Sequence, residues 1–352
     1  MNTHEAYMKH CLDLAAKGFG NVAPNPMVGC VIVVDGNIIG EGYHQQYGEA
    51  HAEVNAINSV EDKQLLKRAT LYVNLEPCSH YGKTPPCADL IIENKIPNVV
   101  IGSVDSNSLV SGKGIEKLQK AGINVITDIL ADECKKLNIR FFTFHEQKRP
   151  YIILKWAQTK NGFIDNKRTE DSTEKALQIS NSESKKLLHK WRSEEQAIMV
   201  GTNTALLDNP HLTVREVEGN NPLRITIDKW LRIPKTNNLF DKSTPTLVFT
   251  SVDAPSETNL TYIKINFELP LVPQITEELF KKNIQSLIIE GGEKLLNTFI
   301  ESNCWDEARV FVSDTIIKQG VNAPVLISNP YKKENIDGDK LLLYINEERK
   351  PS

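Results

Sequence analysis

The first part of the chain alternates short apolar runs with segments whose apolar residues recur at helical spacing. Residues 27–34 are almost all apolar, which predicts a buried strand that ends at the turn of residues 35–37. Residues 4–17 carry apolar side chains at helical spacing and precede Gly18, so we predict a helix there. The further elements predicted here are strands over residues 69–75, 99–103 and 124–127 and helices over residues 51–57, 88–93 and 115–121. This alternation is typical of a largely parallel sheet covered by helices.

The second part of the chain shows the same alternation. Its apolar runs predict strands over residues 151–155, 197–200, 223–227, 246–250, 286–289, 308–312 and 341–345. Helical spacing predicts a helix over residues 182–192, with Ser182 as its N-cap, and another over residues 294–300. We therefore predict that this part also has an α/β fold.

A polar segment separates the two parts. Residues 145–150 are polar and end in Pro150, and a predicted strand begins directly after them. The charge balance changes at the same place, since residues 1–147 hold 13 basic and 17 acidic side chains and residues 148–352 hold 28 of each. A chain of 352 residues has the length of two ordinary domains. We predict domains over residues 1–147 and 148–352.

The composition excludes several classes of protein. It is 40% hydrophobic and 24% charged, as in ordinary globular proteins. No apolar run reaches the roughly 18 residues that a transmembrane helix needs, and the acidic Glu5 near the N-terminus is atypical of a signal peptide, so we expect a cytoplasmic protein. The net charge of −4, without any basic run, argues against a nucleic-acid partner. The six cysteines are too thinly spread for a disulfide framework.

The strongest chemical signal is His51 followed by Glu53, with Cys78 and Cys87 downstream. One imidazole and two thiolates form a three-ligand zinc site whose fourth position stays open, the arrangement of a catalytic zinc. Such a site needs a carboxylate that moves protons without binding the metal, and Glu53 at the start of a predicted helix is suited to that role. The order of residue types matches the zinc nucleobase-deaminase signature, H-x-E with P-C-x-x-C downstream.

A structural zinc site is the alternative interpretation. It would need a fourth protein ligand, for which His44 and His80 are candidates, although neither has the usual spacing of a zinc knuckle. We favour the catalytic site because Glu53 is in position. The cysteines that we interpret as ordinary core thiols are Cys11, Cys30, Cys134 and Cys304.

The spacing of the two cysteine ligands departs from the general signature, because eight residues separate Cys78 from Cys87 instead of two. With that spacing, residues 76–88 (EPCSHYGKTPPCA) resemble, nearly residue for residue, the family of bifunctional riboflavin-biosynthesis deaminase–reductases. Residues 23–29 and 51–56 match the family as well, and residues 105–114 match more loosely. The resemblance covers about residues 4–330. It implies a cytidine-deaminase-like three-layer first domain that hydrolyses an amine of a diaminopyrimidinone ribose phosphate.

The resemblance also implies substrate contacts in the first domain. Asn25, at the start of the first predicted strand, would contact the edge of the pyrimidine. Lys83, the one cation between the two cysteine ligands, would contact the ribose phosphate. The alternative for Lys83 is an ordinary solvated lysine of a loop.

The local motifs of the second part are weaker. Residues 286–293 (SLIIEGGE) run from a predicted strand through two glycines into a predicted helix, a turn that lets phosphate approach the backbone but is common without a ligand. No G-x-G-x-x-G sequence is present, so a Rossmann site is not indicated. Residues 208–215 (DNPHLTVR) and 224–228 (RITID) resemble the reductase half of the same family. That resemblance implies a dihydrofolate-reductase-like α/β domain that uses NADPH to convert the ribosyl into the ribityl chain.

The resemblance assigns residues of the second domain by position. Those that would line the cofactor are Ala157, Thr204, Asp208, Gly292, Glu293, Lys294, Leu295, Leu296, Asn297 and Thr298. Those that would hold the substrate are Arg192, Leu212, Arg215 and Glu290. The two arginines suit a phosphate monoester, because a guanidinium group binds phosphate oxygens bidentately, although a lone arginine is more often a surface residue. Lys229 and Arg232 are candidates for the cation that reads the 2′-phosphate of NADPH.

Two departures keep a second hypothesis open. Residues 159–162 (TKNG) stand where family members commonly have Ser-Leu-Asp-Gly, and residues 178–180 (QIS) stand where many have Trp-Ile-Thr. The second domain would then be a non-catalytic binding or oligomerisation module beside a zinc deaminase. A deaminase acting on tRNA or DNA is disfavoured by the acidic first domain. We predict a bifunctional zinc- and NADPH-dependent enzyme with a phosphorylated pyrimidine substrate and no membrane partner, and leave a homo-oligomer open.

Overall fold

The computed structural model describes residues 3–79, 81, 85–106, 112–170, 172 and 174–349. The chain divides into two compact units, Met1–Lys148 and Arg149–Ser352, and this division lies one residue after the predicted domain boundary. None of the helices within the described ranges is long and apolar enough to cross a membrane.

The first unit is a five-stranded sheet with helices on both faces. Its strands are β1 (Gly29–Val34), β2 (Asn37–Tyr43), β3 (Thr70–Leu75), β4 (Asn98–Ser103) and β5 (Asn124–Ile126). Its helices are α1 (Thr3–Ala16), α2 (Ala52–Ser59), α3 (Cys87–Glu93), α4 (Lys113–Lys120), α5 (Ala131–Leu137) and α6 (Ile139–Gln147), with a 3-10 helix over Lys63–Arg68.

The strand order is β2-β1-β3-β4-β5. Strand β1 pairs antiparallel with β2 and β3, whereas β3–β4 and β4–β5 are parallel pairs, so the predicted largely parallel sheet is in fact mixed here. Strand β2 was not predicted because its sequence, NIIGEGY, lacks a clear apolar alternation and most of its residues are not buried. Helices α5 and α6 were not predicted either, because ADECKKL in α5 carries few apolar residues.

Every residue of β1 is buried, because helices cover both faces of the sheet. Cys30 and Ile32 point to the face that carries α2, α3 and α4. Val31 and Val33 alternate with them and pack against α1 and α5 on the opposite face. The four cysteines interpreted as core thiols are all buried and form no disulfide, as predicted.

The second unit contains eleven strands, nine in one large sheet and two in a separate antiparallel pair. Its strands are β6 (Tyr151–Gln158), β7 (Phe163–Asp165), β8 (Ala197–Val200), β9 (Leu223–Ile227), β10 (Thr246–Thr250), β11 (Leu260–Lys264), β12 (Ser286–Ile289), β13 (Glu307–Val312), β14 (Val321–Asn322), β15 (Lys332–Ile336) and β16 (Asp339–Ile345). Its helices are α7 (Ser182–Glu194), α8 (Thr202–Asp208), α9 (Leu271–Lys281) and α10 (Glu293–Glu301), with 3-10 helices over Asn238–Phe240 and Glu347–Arg349.

The strand order of the large sheet is β11-β10-β9-β8-β12-β6-β13-β16-β15. The strands from β11 to β13 are parallel, and β16 and β15 add an antiparallel edge. Each strand predicted in this part is present, and for all but the strand over residues 341–345 the reason is that parallel strands buried on both faces read as continuous apolar runs. The N-cap of α7 is Asn181, whose side chain accepts a hydrogen bond from the Ser184 backbone N–H at 2.8 Å, so the prediction of Ser182 was one residue late.

Candidate active sites

Three segments of the first unit bring His51, Cys78 and Cys87 together. His51 is the N-cap of α2, Cys78 follows β3, and Cys87 opens α3. Their ligand atoms lie within 4.8 Å of one another, and His51 Nδ1 is 3.3 Å from Cys87 Sγ and 3.6 Å from Cys78 Sγ. Within the part of the chain that the structure describes, no other group of histidine, cysteine and acidic side chains is arranged to hold a metal. One imidazole nitrogen and two sulfur atoms are a donor set that suits zinc.

The surroundings of Cys78 favour metal binding, whereas the hydrogen bond that Cys87 makes to Cys78, together with burial, raises the pKa of the Cys87 thiol. A hydrogen bond from the Cys87 thiol, together with the nearby His51 ring, lowers the pKa of the Cys78 thiol to about 4. The Cys87 backbone N–H also donates to Cys78 Sγ at 3.3 Å. A thiolate is the form that ligates zinc, so this segment presents Cys78 in its binding state.

Glu53 lies beside the three ligands in the first turn of α2 and is only 3% exposed. Burial raises the pKa of its carboxyl to about 7, and the charge of the Cys78 thiolate adds to the rise. A carboxyl group with a pKa near neutrality can accept and release a proton within one catalytic cycle.

A buried carboxylate, Glu76, holds the segment that carries Cys78. It accepts hydrogen bonds from the backbone N–H groups of Asp105, Gly112, Gly114 and Ile115, at 3.3, 2.9, 2.8 and 3.3 Å. A Cβ atom on Gly114 would lie 2.1 Å from the carbonyl oxygen of Pro77, so only glycine fits at that position. This role of Glu76 was not predicted, because its partners lie 29 to 39 residues away in the chain.

The predicted substrate residue Asn25 is joined to the metal site through His44. The Asn25 Nδ2 amide donates to His44 Nε2 at 3.0 Å, and His44 Nδ1 lies 3.0 Å from the carbonyl oxygen of Ala50. Since that oxygen can only accept, Nδ1 carries the proton and Nε2 accepts from Asn25. Burial lowers the pKa of His44, which favours this neutral form. The His44 ring meets the His51 ring edge-on at 5.5 Å.

These contacts bear on the structural-zinc alternative. Both ring nitrogens of His44 are engaged, and no fourth ligand joins the three within the described residues. His80, the other candidate fourth ligand, and Lys83, the predicted phosphate contact, lie outside the described residues.

The second unit contains a cavity of about 820 Å³ at the carboxyl ends of β6, β8 and β12, where parallel sheets usually bind ligands. The predicted cofactor residues that line it are Ala157, Thr204, Asp208, Gly292, Glu293, Lys294, Leu295, Leu296 and Thr298. Asn297 is not among the described residues that line this cavity.

The turn between β12 and α10 leaves its backbone open to a ligand. Gly291 has a φ of +140°, a conformation that favours glycine, and Gly292 is the N-cap of α10. A Cβ atom on Gly292 would lie 3.1 Å from Thr204 Oγ1, so a side chain at this position would fill the space between the turn and Thr204. An open glycine turn at a helix N-terminus fits the pyrophosphate of a dinucleotide.

Two charged side chains, Lys155 and Glu290, line one wall of the cavity, and a third, Arg192, pairs with Glu290 from behind it. Arg192 donates to the Glu290 carboxylate from Nε at 2.8 Å and from Nη2 at 2.7 Å. Lys155, on β6, lines the cavity beside Glu290 and is 8% exposed. Burial lowers the pKa of Lys155, while Glu290 acts to raise it. Lys155 was not predicted as a site residue, although a lysine within an apolar strand is a signal, since lysine is seldom buried.

The other predicted substrate residues lie behind this wall. Among the described residues, those lining the cavity do not include Arg192, Leu212 or Arg215. Arg192 is buried and its Nη1 donates to the Thr213 carbonyl oxygen at 3.2 Å, so its donors are used within the protein. Arg215 is exposed, and its backbone N–H donates to His189 Nδ1 at 3.0 Å. The predicted phosphate contacts of the two arginines stay predictions.

A second charged group involves the predicted cofactor residue Asp208. The Arg168 guanidinium, which the sequence analysis missed, bonds to the carboxylates of both Asp165 and Asp208. Of the two candidate cations for the 2′-phosphate, Arg232 lines the cavity and lies 3.7 Å from Glu170, and Lys229 lies outside the lining and pairs with Glu268 at 3.1 Å.

Asn161 and Gln178, which belong to the two segments that depart from the family pattern, lie at the turn after β6 and at the cavity. The Asn161 side chain accepts from Thr159 Oγ1 at 3.0 Å and donates to the Ile317 carbonyl oxygen at 2.7 Å, which holds the turn after β6. Gln178 lines the cavity.

Both halves of the chain match known families. Residues 1–103 match the cytidine and deoxycytidylate deaminase zinc-binding region, and residues 150–336 match the RibD C-terminal domain. The riboflavin biosynthesis protein RibD of Aquifex aeolicus (strain VF5) is 40% identical over 324 residues, which cover 90% of this chain and 88% of the relative. The protein of the same name from Escherichia coli (strain K12) is 33% identical over 335 residues, 89% of this chain and 88% of the relative.

Solved structures resemble the whole chain. A deaminase/reductase from Thermotoga maritima has a TM-score of 0.84 and 38% identity, covering 97% of this chain and 98% of its own. Acinetobacter baumannii RibD, form 1, has a TM-score of 0.87 and 30% identity, with the same coverage of both chains.

The fold and the two sites define a two-domain enzyme in which a zinc-binding deaminase domain precedes a reductase domain. The chain belongs to the RibD family of riboflavin biosynthesis proteins. It is a bifunctional deaminase and reductase whose cofactors are zinc and NADPH. The family, fold class and pair of activities predicted from the sequence are confirmed.

Proposed function

We propose that residues 1–147 deaminate 2,5-diamino-6-(5-phosphoribosylamino)pyrimidin-4-one and that residues 148–352 then reduce the ribosyl group of the product to a ribityl chain. The Thermotoga maritima relative is named a diaminohydroxyphosphoribosylaminopyrimidine deaminase and 5-amino-6-(5-phosphoribosylamino)uracil reductase. The observation that carries the proposal is the placement of Glu53 beside His51, Cys78 and Cys87.

In the first domain, His51, Cys78 and Cys87 would hold zinc. When bound, the metal acidifies a water molecule at the open coordination position. Glu53 accepts the proton of the attacking water and delivers it to the leaving amine. Asn25, fixed by its hydrogen bond to His44, presents its Oδ1 to the edge of the pyrimidine. Lys83 stays the predicted contact for the ribose phosphate.

In the second domain, the turn at Gly291 and Gly292 and the start of α10 would hold the pyrophosphate of NADPH. NADPH supplies the hydride when it is bound. Reduction at C1′ of the ribose breaks the bond from C1′ to the ring oxygen, and that oxygen then needs a proton. Lys155 delivers this proton, and the negative charge of Glu290, which Arg192 holds in place, favours the ammonium form of Lys155.

Cytoplasmic location is part of the proposal. The zinc ligands Cys78 and Cys87 must be reduced thiols, and the chain's six cysteines are free. A reducing compartment keeps such thiols available to the metal. Assembly into a homo-oligomer stays a prediction.

The test is an assay of the purified chain on the diaminopyrimidinone, with and without NADPH, in which both products are followed. We expect ammonia release in both samples and the ribityl product only with NADPH. Ammonia release with neither ribityl product nor NADPH binding would favour the alternative of a non-catalytic second domain. Absence of ammonia release from zinc-loaded protein would overturn the substrate assignment.

Replacing either cysteine ligand is expected to remove the metal. The purified Cys78→Ser and Cys87→Ser proteins should hold much less than the one zinc per chain expected of the unmutated protein, because serine is a poor zinc ligand at neutral pH. Elemental analysis measures the difference. Cys134→Ala is the matched control, since Cys134 is a buried thiol of the same unit outside the metal group. Full zinc occupancy in both serine variants would show that the site lies elsewhere.

Arg232 is expected to determine the preference for NADPH over NADH, because it lines the cavity and carries the charge that a 2′-phosphate needs. Arg232→Ala should raise the Kd for NADPH by about tenfold or more, the scale of a hydrogen bond to a charged group, and leave the Kd for NADH nearly unchanged. Fluorescence titration with both nucleotides measures this. Lys229→Ala is the control variant, and equal losses for the two nucleotides would refute the assignment.

A further inference from the structure

Asn25 belongs to a segment, residues 22–28, that precedes β1 and lies outside any helix or strand. The backbone of Met27, two residues after Asn25, is held by the side chain of Asn138, which lies near the C-terminal end of the first unit. Asn138 Oδ1 accepts a hydrogen bond from the Met27 backbone N–H at 2.8 Å, and Asn138 Nδ2 donates to the Met27 carbonyl oxygen at 2.9 Å. One side-chain amide therefore satisfies both backbone polar groups of Met27.

A second buried asparagine completes this arrangement. Asn74 Nδ2 donates to the same Met27 carbonyl oxygen at 3.0 Å, and Asn74 Oδ1 accepts from the Gly29 N–H at 2.8 Å. Asn74 is fully buried and Asn138 is 3% exposed. A buried backbone group that loses its partner is strongly disfavoured, so these bonds fix the path of the segment.

By binding Met27, the side chain of Asn138 forgoes a hydrogen bond that it could make within its own helix. It occupies the N-cap position of α6, where an asparagine side chain usually accepts a hydrogen bond from the first helical turn. Here its side chain makes no cap hydrogen bond and reaches Met27 instead, 111 residues away in the chain. The residue also lies outside the segment that matches the zinc-binding region, residues 1–103.

The fixed segment leads directly to the deaminase site. Asn25 is two residues from Met27, and its side chain donates to His44 Nε2. The His44 backbone N–H donates to the Val28 carbonyl oxygen at 2.9 Å, so the segment is tied to His44 on both sides of Met27. The position of Met27 therefore sets where Asn25 stands relative to His44 and the metal ligand beyond it.

We propose that Asn138 is a positioning residue of the deaminase, which fixes Met27 and thereby holds Asn25 against the pyrimidine. The inference rests on the proposed function, in which Asn25 contacts the substrate. It makes the junction of α5 and α6 part of the deaminase machinery. Small displacements of a contact residue are enough to weaken a productive complex.

The test uses the full-length, zinc-loaded protein. Asn138→Leu removes both hydrogen bonds at nearly constant volume, and we expect the KM for the diaminopyrimidinone to rise about 10- to 100-fold. Zinc content and the reduction of separately supplied deaminated substrate should stay unchanged. Asn138→Asp keeps the acceptor for the Met27 N–H, and Asn74 still donates to the Met27 carbonyl oxygen. The KM of Asn138→Asp should therefore lie between that of the unmutated protein and that of Asn138→Leu.

A matched control and a double variant separate positioning from a general loss of stability. Thr143→Val changes a fully buried side chain of α6 whose Oγ1 has no hydrogen-bond partner among the described residues, and it should leave KM unchanged. Asn25→Ala alone should raise KM, and adding Asn138→Leu to it should raise KM little further, because both act through one contact. Additive effects, or an unchanged KM in both Asn138 variants, would overturn the proposal. Failure of the unmutated protein to deaminate would instead refute the proposed function on which it rests.

Discussion

Glu53→Gln is expected to lower the rate of deamination by at least about 100-fold, the usual scale for loss of a general acid–base group, while zinc stays bound. Glutamine keeps the shape of the side chain but cannot carry a proton. Glu53 is buried next to the three metal ligands, and its carboxyl pKa of about 7 places proton uptake and release within reach at neutral pH. Ammonia release and elemental analysis on the same sample measure the two quantities.

Two comparisons make the Glu53 result specific. Reduction of separately supplied deaminated substrate should be unaffected, because it takes place in the other domain. Glu61→Gln removes an exposed carboxylate of the same unit and should leave deamination unchanged. Near-normal deamination by Glu53→Gln with full zinc would show that another group moves the proton.

The deaminase site was predictable because its chemistry is concentrated in short motifs. His51 and Glu53 are two residues apart at the start of one helix, and Cys78 and Cys87 are only nine positions apart in the chain. Residue types at short spacing carry the signature of such a site, so local sequence was enough to name the group that the structure brings within 4.8 Å.

The residues that hold this site were not predictable in the same way. Asn138 looks from its sequence like an ordinary N-cap, and its link to Met27 depends on tertiary packing across 111 residues. Glu76 looks from the sequence like part of a ligand motif. Its backbone partners, which include Gly112 and Gly114, are distant in the chain and come close to it only in the folded structure. A side chain that serves distant backbone groups leaves no periodic or local pattern in the sequence.

The reductase site shows the same division. The glycine turn before α10 is a local feature and was recognised, whereas the pairing of Arg192 with Glu290 joins residues 98 positions apart. That pairing turns the donors of Arg192 toward the protein, so Arg192 holds the Glu290 carboxylate at the cavity wall. The amide Asn161 still bonds the turn after β6, which explains how the departure from the family pattern keeps the local backbone in place.

Lys155→Met is expected to lower ribosyl reduction by at least about 100-fold, because it removes the acid that protonates the ring oxygen as the ribose opens. Methionine replaces the apolar stem of the lysine up to Cε without its amine, and leaves both residues of the Arg192–Glu290 pair in place. NADPH binding should change little, since the glycine turn and α10 are untouched. The measurements are formation of the ribityl product from deaminated substrate and fluorescence titration with NADPH.

The pH dependence gives the Lys155 prediction a second readout. Burial lowers the pKa of Lys155, and only the protonated amine can act as an acid, so reduction by the unmutated protein should fall as the pH rises through that lowered pKa. The residual activity of Lys155→Met should lack this alkaline decline. Lys185→Met is the matched control, because Lys185 also lines the cavity but is only half-buried. A similar loss in both variants, or an alkaline decline that persists in Lys155→Met, would show that another group supplies the proton.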